Sequence, residues 1–134
     1  MTKMLNDYKK AAIGKLGEGI ACEYLLDRGW KILERNYRRK SDEIDIIAKS
    51  PDGTLAFCEV KSFTTGEDWN GVKGLSPEDN LTAAKFRKIS RTCGFFARQH
   101  PELIDEDKGW RIDLIAVDIA IDGKTSDVRH YENI

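Results

Sequence analysis

Three side chains in the middle of the chain have the types and spacing of a metal-dependent hydrolytic site. Asp45 lies within an apolar run, and Glu59 and Lys61 follow in a second apolar run after a short polar turn. Two carboxylates can bind a divalent cation, which polarises a phosphate and lowers the pKa of a bound water. A nearby lysine can orient that water or stabilise the developing negative charge. The pattern points to hydrolysis of phosphodiester bonds.

The turn that joins the two runs determines whether Asp45 and Glu59 share a face. A two-residue turn would place them on opposite faces, because side chains alternate along a strand. Residues 50–54, Ser-Pro-Asp-Gly-Thr, instead fit a three-residue loop, in which Pro51 leads a type I turn and Gly53 is left-handed. We therefore predict a hairpin in which the first and last residues of this segment pair.

This register predicts Asp45 opposite Glu59, and Glu43 opposite Lys61, on one face of the hairpin. Directly opposed carboxylates lie about 5 Å apart and repel each other, which a cation between them would relieve. Lys61 follows Glu59 on the same face, roughly 6.5–7 Å along the strand. The alternative is a half-exposed polar strand on which Glu43 and Lys61 form a surface ion pair.

Charge is distributed unevenly along the chain, although the net charge is only −1. Residues 1–40 carry a net charge of +5, and the remaining residues carry −6. Several basic residues lie close to Tyr37, and cations beside an aromatic ring suit a nucleic-acid backbone. A solvated charged loop is the simpler alternative. The basic residues concerned are Arg35, Arg38, Arg39 and Lys40.

Composition predicts one domain over residues 1–134, with 40% hydrophobic residues to form a single core. No run approaches the roughly 18 apolar residues of a membrane span, and the first ten residues lack the apolar core of a signal peptide. We expect a cytoplasmic protein without membrane contact. The three cysteines, Cys22, Cys58 and Cys93, are widely spaced and are predicted to be small core residues.

Apolar periodicity predicts seven elements in the order α-β-β-β-α-β-β, an α/β fold with a mixed sheet flanked by helices. One helix covers residues 5–28 and ends at Gly29, and a second, capped by Asn80, covers residues 81–99. Residues 63–80, with Trp69, are expected to form a flap bordering the site, with simple disorder as the alternative. The predicted strands are residues 30–37, 42–49, 55–62, 110–120 and 127–132.

Three glycines lie inside the first predicted helix, where each costs roughly 0.5–1 kcal/mol relative to alanine. Close approach of another backbone or a ligand would explain Gly14, Gly17 and Gly19. The alternative is that they loosen the first turns or mark a break near residue 14.

Several motifs, in this order along most of the chain, resemble a known family. They are G-K-L-G-E-G-I-A-C-E-Y-L at residues 14–25, G-W-K-I-L-E-R-N-Y-R at 29–38, E-I-D-I-I-A and F-C-E-V-K-S in the hairpin, L-T-A-A-K at 81–85 and R-I-D-L-I at 111–115. The sequence resembles the YraN-like family of predicted endonucleases in the PD-(D/E)XK nuclease superfamily, related in fold to Holliday-junction resolvases.

The resemblance implies a restriction-endonuclease-like fold, with Asp45 and Glu59 as ligands of Mg²⁺ or Mn²⁺ and Lys61 as the catalytic lysine. It adds the carbonyl of Val60 as a further ligand. It also marks Glu18, on the first helix, as an acidic residue brought to the site, which would account for the glycines around it.

Lys85 and Arg111 occupy the family's usual basic positions, so the resemblance implies that they contact phosphates, with salt bridges as the alternative. It implies a structural role for Asp113. The chain departs from the family pattern at residues 39–42, which replace a glycine, at Phe63 and in an enlarged flap. These departures concern the choice of substrate rather than the metal site.

We therefore expect a metal-dependent endonuclease that acts on structured or branched DNA, without an organic cofactor. The alternatives are a nucleic-acid-binding module with a vestigial site that acts through a partner, and a protein-interaction domain. A homodimer is expected by analogy, since a two-fold-symmetric junction needs two sites.

Overall fold

A computed structural model describes residues 3–64, 82–120, 122, 124 and 126–134. The elements follow the predicted order α-β-β-β-α-β-β. Trp69 and most of the predicted flap lie outside the described residues, and the first two flap positions, 63 and 64, continue a strand instead. The elements are α1 (Lys3–Asp27), β1 (Lys31–Arg39), β2 (Asp42–Lys49), β3 (Leu55–Thr64), α2 (Ala83–Gln99), a 3₁₀ turn (Pro101–Leu103), β4 (Trp110–Ile119) and β5 (Ser126–Tyr131).

The five strands form one mixed sheet in the order β1-β2-β3-β4-β5. Strands β3 and β4 are parallel, whereas the other neighbouring pairs are antiparallel. A parallel pair needs a long crossover connection, and α2 lies in the crossover between β3 and β4. The predicted α/β class, a mixed sheet flanked by helices, is confirmed.

Each face of the sheet has its own core beneath one helix. The face under α1 buries alternate residues of the central strands, including Ile46, Cys58 and Ile115. The face under α2 buries the intervening residues, including Phe57 and Ile112. All three cysteines are buried and free, as predicted for core residues. No helix in the described part of the chain is long and apolar enough to span a membrane.

The hairpin between β2 and β3 has the predicted three-residue loop. The amide of Gly53 donates to the carbonyl of Ser50 at 2.9 Å, and the amide of Ser50 donates to the carbonyl of Thr54 at 2.9 Å. Gly53 has a φ of +94°, as the left-handed position requires. The loop sets the register, which pairs Ile46 with Cys58 as predicted.

The C-terminal ends of both helices agree with the prediction, whereas the N-terminal cap of α2 does not. Gly29 follows α1 with a φ of +85°, as predicted. The prediction that Asn80 caps α2 was wrong, since the helix begins after Thr82, whose hydroxyl accepts from the amide of Lys85 at 3.1 Å. The helix α1 is continuous through Gly14, so the predicted alternative of a break there does not occur.

Asp113 is a buried structural carboxylate, as predicted. It accepts hydrogen bonds from Arg111 Nε at 3.0 Å, His130 Nε2 at 2.8 Å and the amide of Asn133 at 3.0 Å. These contacts together hold the pKa of Asp113 below its ordinary value, although burial alone would raise it. This network ties β4 to β5 and to the C-terminal residues.

Candidate metal-dependent active site

A cleft of about 410 Å³ lies between the N-terminal half of α1 and the end of β3. Glu18 enters it from α1, Asp45 from β2, and Lys61 from β3. The structure therefore brings together three of the four predicted catalytic side chains, and Val60 also lines the cleft. Further lining residues are Lys10, Ile13, Gly14, Ser62, Phe63 and Thr64.

The cleft opens where β2 and β3 separate. Their ladder runs from the loop to the pair Ile46 and Cys58, and the next pair in that register would be Asp45 and Glu59. The carboxylate of Asp45 replaces the ladder at this point, since its Oδ2 accepts from the amide of Val60 at 2.8 Å. The predicted register is thus confirmed as far as the pair Ile46 and Cys58. Beyond that pair, the side chain of Asp45 bridges β2 and β3.

The side chains of β2 change faces at Asp45. Ile46 packs in the core beneath α1 and Ile44 in the core beneath α2, although alternate residues of a regular strand share a face. The neighbouring strand is irregular at the same level, where Asn36 has a left-handed φ of 54°. Because of this change, Glu43 lies beside Glu18 of α1.

Glu18, Glu43 and Asp45 form a carboxylate triad. One oxygen from each lies within 4.8 Å of the others, and all three side chains are half-buried. Asn36 Nδ2 donates to Glu18 Oε1 and Glu43 Oε1, each at 2.9 Å, and so holds two members in place. Arg38 pairs with Glu43 Oε2 at 3.0 Å.

Glu59 is outside the triad but is electrostatically linked to Asp45. Its Oε1 is buried and has no hydrogen-bond partner among the described residues. Burial, followed by the charge of Asp45, raises the pKa of Glu59 to about 8. Burial also raises the pKa of Asp45 to about 6, although the hydrogen bond from the amide of Val60 lowers it. The charges of Glu18 and Glu43 raise it by smaller amounts. Asp45 and Glu59 favour a proton or a cation near neutral pH.

The predicted pairing of Glu43 with Lys61 across the hairpin was therefore wrong, since the ladder between β2 and β3 does not reach these residues. The alternative, a surface ion pair between Glu43 and Lys61, does not occur either, because the described cationic partner of Glu43 is Arg38. Lys61 is exposed at the mouth of the cleft, with no carboxylate of the described residues within 4.0 Å. The alternation rule missed Glu43 because it assumes a strand without a change of face. Asn36 was missed too, and its only signal is that asparagine tolerates the left-handed conformation.

The predicted nucleic-acid-binding residues are dispersed. Lys85, in the first turn of α2, lowers the pKa of both Asp45 and Glu59 through its charge and so lies near the site. Arg39 lies over the ring of Phe95 at 3.8 Å, away from the triad. Arg35 and Lys40 are exposed, and Arg38 is committed to Glu43.

Arg111 does not reach the cleft. Its position on β4 pairs with Ala56, near the hairpin loop, whereas Lys61 lies at the other end of β3. Its guanidinium pairs with Asp113 at 3.0 Å and Glu132 at 3.5 Å, and it is only partly exposed. The salt bridges given as the alternative for this residue are therefore present.

The fold and the cleft define an α/β domain with an acidic cleft where two central strands part. The chain belongs to the uncharacterised protein family UPF0102, whose sequence profile matches residues 17–117. It is 38% identical over 109 residues to a UPF0102 protein of Campylobacter concisus, covering 81% of this chain and 86% of the relative. It is 34% identical over 136 residues to a UPF0102 protein of Desulforamulus reducens, covering 93% and 96%. It is 37% identical over 122 residues to one from Trichlorobacter lovleyi, covering 91% and 88%.

Proposed function

We propose that the chain is a metal-dependent nuclease of the PD-(D/E)XK superfamily that hydrolyses phosphodiester bonds in structured or branched DNA. The observation that carries the proposal is the triad of Glu18, Glu43 and Asp45, with the partnerless oxygen of Glu59 beside it. Like charges this close repel one another, and Asn36 and Arg38 offset only part of that repulsion.

The donor set fits a hard divalent cation. Every candidate side-chain ligand is a carboxylate oxygen, which suits Mg²⁺ or Mn²⁺, whereas zinc sites usually include histidine or cysteine. Asp45 and Glu59 would hold the cation, with Glu18, Glu43 and the carbonyl of Val60 available to complete the shell. When bound, such an ion polarises a phosphate and lowers the pKa of a coordinated water.

The chain's own residues supply positioning and charge. Lys61 lines the cleft with Asp45 and is exposed, so its ammonium can contact a phosphate oxygen or orient the attacking water. Lys10 of α1 lines the same cleft and adds a second cation. Asn36 keeps Glu18 and Glu43 oriented toward each other. A phosphodiester entering the cleft would thus meet cations at its mouth and carboxylates at its base.

A second candidate function is a nucleic-acid-binding module with a vestigial site. The ion pair between Arg38 and Glu43, at 3.0 Å, favours it, because it neutralises one triad member without a metal. Binding would then be independent of Mg²⁺, and no cleavage would accompany it.

Cleavage assays separate the two functions. The protein is incubated with labelled four-way junction, flap, duplex and single-stranded DNA, with RNA as a further substrate, in Mg²⁺, Mn²⁺ or EDTA. We expect cleavage with metal only, reduced roughly 100-fold or more in Asp45→Asn, Glu59→Gln and Lys61→Ala. Glu23→Gln, an exposed carboxylate on α1, is the matched control and should cleave normally. Undiminished cleavage by Asp45→Asn would show that the cleft is not where the bond is hydrolysed and would refute the proposal.

The homodimer belongs to the same proposal and rests only on analogy with two-fold-symmetric junctions. Light scattering coupled to size exclusion, with and without junction DNA, measures it directly. Two protomers per junction are expected, and a single protomer on a junction that is still cut would remove the dimer from the proposal.

A further inference from the structure

The outer face of α2 is strongly basic in a chain whose net charge is −1. The helix contains five lysine or arginine residues and no aspartate or glutamate. Its apolar residues pack against the sheet, so the cations are not needed for packing. All five basic side chains are exposed: Lys85, Arg87, Lys88, Arg91 and Arg98.

Helix stability explains only Arg98 among these five cations, because Arg98 lies in the last turn, where the helix dipole favours a positive charge. Within the ranges that the structure describes, none of the five cations lies within 4.0 Å of a carboxylate. Lys88 and Arg91 are three residues apart and Arg87 and Arg91 four, spacings at which like charges destabilise a helix. Lys85 lies in the first turn, where the helix dipole disfavours a cation. An external anion would relieve these repulsions.

A groove of about 520 Å³ adjoins this face. Arg91 and Arg98 line it together with Arg39 of β1, so it contains three guanidinium groups. The guanidinium of Arg39 lies over the ring of Phe95 at 3.8 Å, and Trp110, with 37% of its surface exposed, is also in the lining. Arginines beside aromatic rings are the combination with which proteins contact phosphates and unpaired bases.

The basic face leads away from the proposed active site. Lys85 lies near the carboxylates at one end of α2, and Arg98 lies thirteen residues later, which corresponds to about 20 Å along a helix. That length matches about 6 base pairs of duplex, at roughly 3.4 Å per step along one strand.

We propose that the exposed face of α2 and the groove formed by Arg39, Arg91, Arg98 and Trp110 bind the phosphodiester backbone of a nucleic acid outside the cleft. The identity of this partner rests on the proposed function, but the charge and shape of the surface do not. Three guanidinium groups contact phosphates of a strand that continues from the cleft, and Trp110 provides a ring for an unpaired base. The groove positions the strand and takes no part in its hydrolysis.

The test measures binding in EDTA, where cleavage is absent. Fluorescein-labelled duplex, single-stranded and four-way-junction DNA are titrated by fluorescence anisotropy at 50 to 200 mM KCl. The test variant is Arg91→Gln/Arg98→Gln, and the control is Lys31→Gln/Lys124→Gln, which removes two exposed cations elsewhere. The slope of log K against log salt is negative, and losing two phosphate contacts makes it shallower by about 1.8 on duplex. Between 50 and 200 mM KCl, wild type should lose about tenfold more affinity than the test variant.

A conservative variant and a cleavage assay separate the possible failures. Arg91→Lys/Arg98→Lys keeps the charge and should retain the wild-type slope, and circular dichroism checks that each variant is folded. The proposal that the groove binds nucleic acid is overturned if Arg91→Gln/Arg98→Gln has unchanged affinity and slope, or if wild type binds no nucleic acid. Failure of the proposed nuclease looks different, since wild type would then bind through the groove and cut nothing in Mg²⁺ or Mn²⁺.

Discussion

Gly17 of α1 lies directly against Ser62 of β3, so closely that a Cβ at position 17 would be 1.8 Å from Ser62 Oγ and 2.9 Å from Ser62 Cβ. The contact lies beside Glu18, the next residue of the helix, and fixes its distance from the end of β3. Both Ser62 and Glu18 line the cleft. This close approach explains the glycine at position 17, as one of the two sequence interpretations predicted.

Gly17→Ala should therefore destabilise the protein and displace Glu18. The added methyl group has to push α1 away from β3, at a cost of about 1–3 kcal/mol, which exceeds the gain in helix propensity. Urea unfolding measures the loss. Gly19→Ala is the matched control, since nothing lies within 4 Å of its added Cβ, and it should stabilise by roughly 0.5–1 kcal/mol. The double variant Gly17→Ala/Ser62→Gly should recover much of the loss, and no recovery would show that the contact is not the cause.

Glu59→Gln should change how the stability of the metal-free protein depends on pH. Burial and the charge of Asp45 raise the pKa of Glu59 from 4.5 to about 8. A carboxyl with a raised folded-state pKa contributes stability that is complete below its unfolded pKa and is lost as pH rises through the folded value. Wild type in EDTA should therefore lose stability between pH 5 and pH 9.

Glutamine cannot ionise, so Glu59→Gln should exceed wild type in stability at pH 9 by on the order of 3 kcal/mol, with little difference at pH 5. Denaturant unfolding at both pH values, with Glu23→Gln as an exposed control, gives the comparison. Parallel pH profiles for wild type and Glu59→Gln would show that this carboxyl ionises normally.

Mn²⁺ should raise the melting temperature of wild type, because a ligand that binds only the folded state stabilises it by mass action. Glu43→Gln should reduce that shift, since Glu43 belongs to the triad, and Glu23→Gln should leave it unchanged. Thermal unfolding with increasing Mn²⁺ at constant ionic strength measures both. If Mn²⁺ raises the melting temperature of Glu43→Gln as much as that of wild type, Glu43 is not a metal ligand and serves only as the ion-pair partner of Arg38.

Asp113→Asn should destabilise the protein without affecting metal binding. Asp113 is fully buried and pairs with Arg111 and His130, and breaking such a network costs about 3–5 kcal/mol. The Mn²⁺-dependent shift in melting temperature should persist at a lower baseline. A lost shift with stability retained would instead connect this network to the cleft.

The sequence predicted those features that depend on local geometry. The hairpin register followed from Pro51 and Gly53, and the end of α1 from Gly29, because each depends on the conformation of a few adjacent residues. The change of face at Asp45 depends instead on pairing with an irregular β1, and Asn36 alone does not specify it. The triad could not be predicted in full, since it brings Glu18 of the first helix against Glu43 and Asp45 of β2, which are distant from it in sequence.

Glu18 is the triad member that lies on the first helix. Nothing in the spacing of the helix marks it as functional, and only the family resemblance placed it at the site. Its position in the cleft depends on how closely α1 approaches β3, which is set by packing at Gly17 and Ser62. The hydrogen bond from Asn36 to Glu18 could not be predicted either, because it also depends on how closely α1 packs against the sheet.

The central claim, that these carboxylates form a cation site, is tested most directly by anomalous diffraction from a crystal soaked in Mn²⁺. The account predicts a peak within about 2.5 Å of an oxygen of Asp45 and of at least one of Glu18, Glu43 and Glu59. A cleft without anomalous density at millimolar Mn²⁺, with Arg38 still on Glu43 and Asp45 still on the amide of Val60, would contradict it.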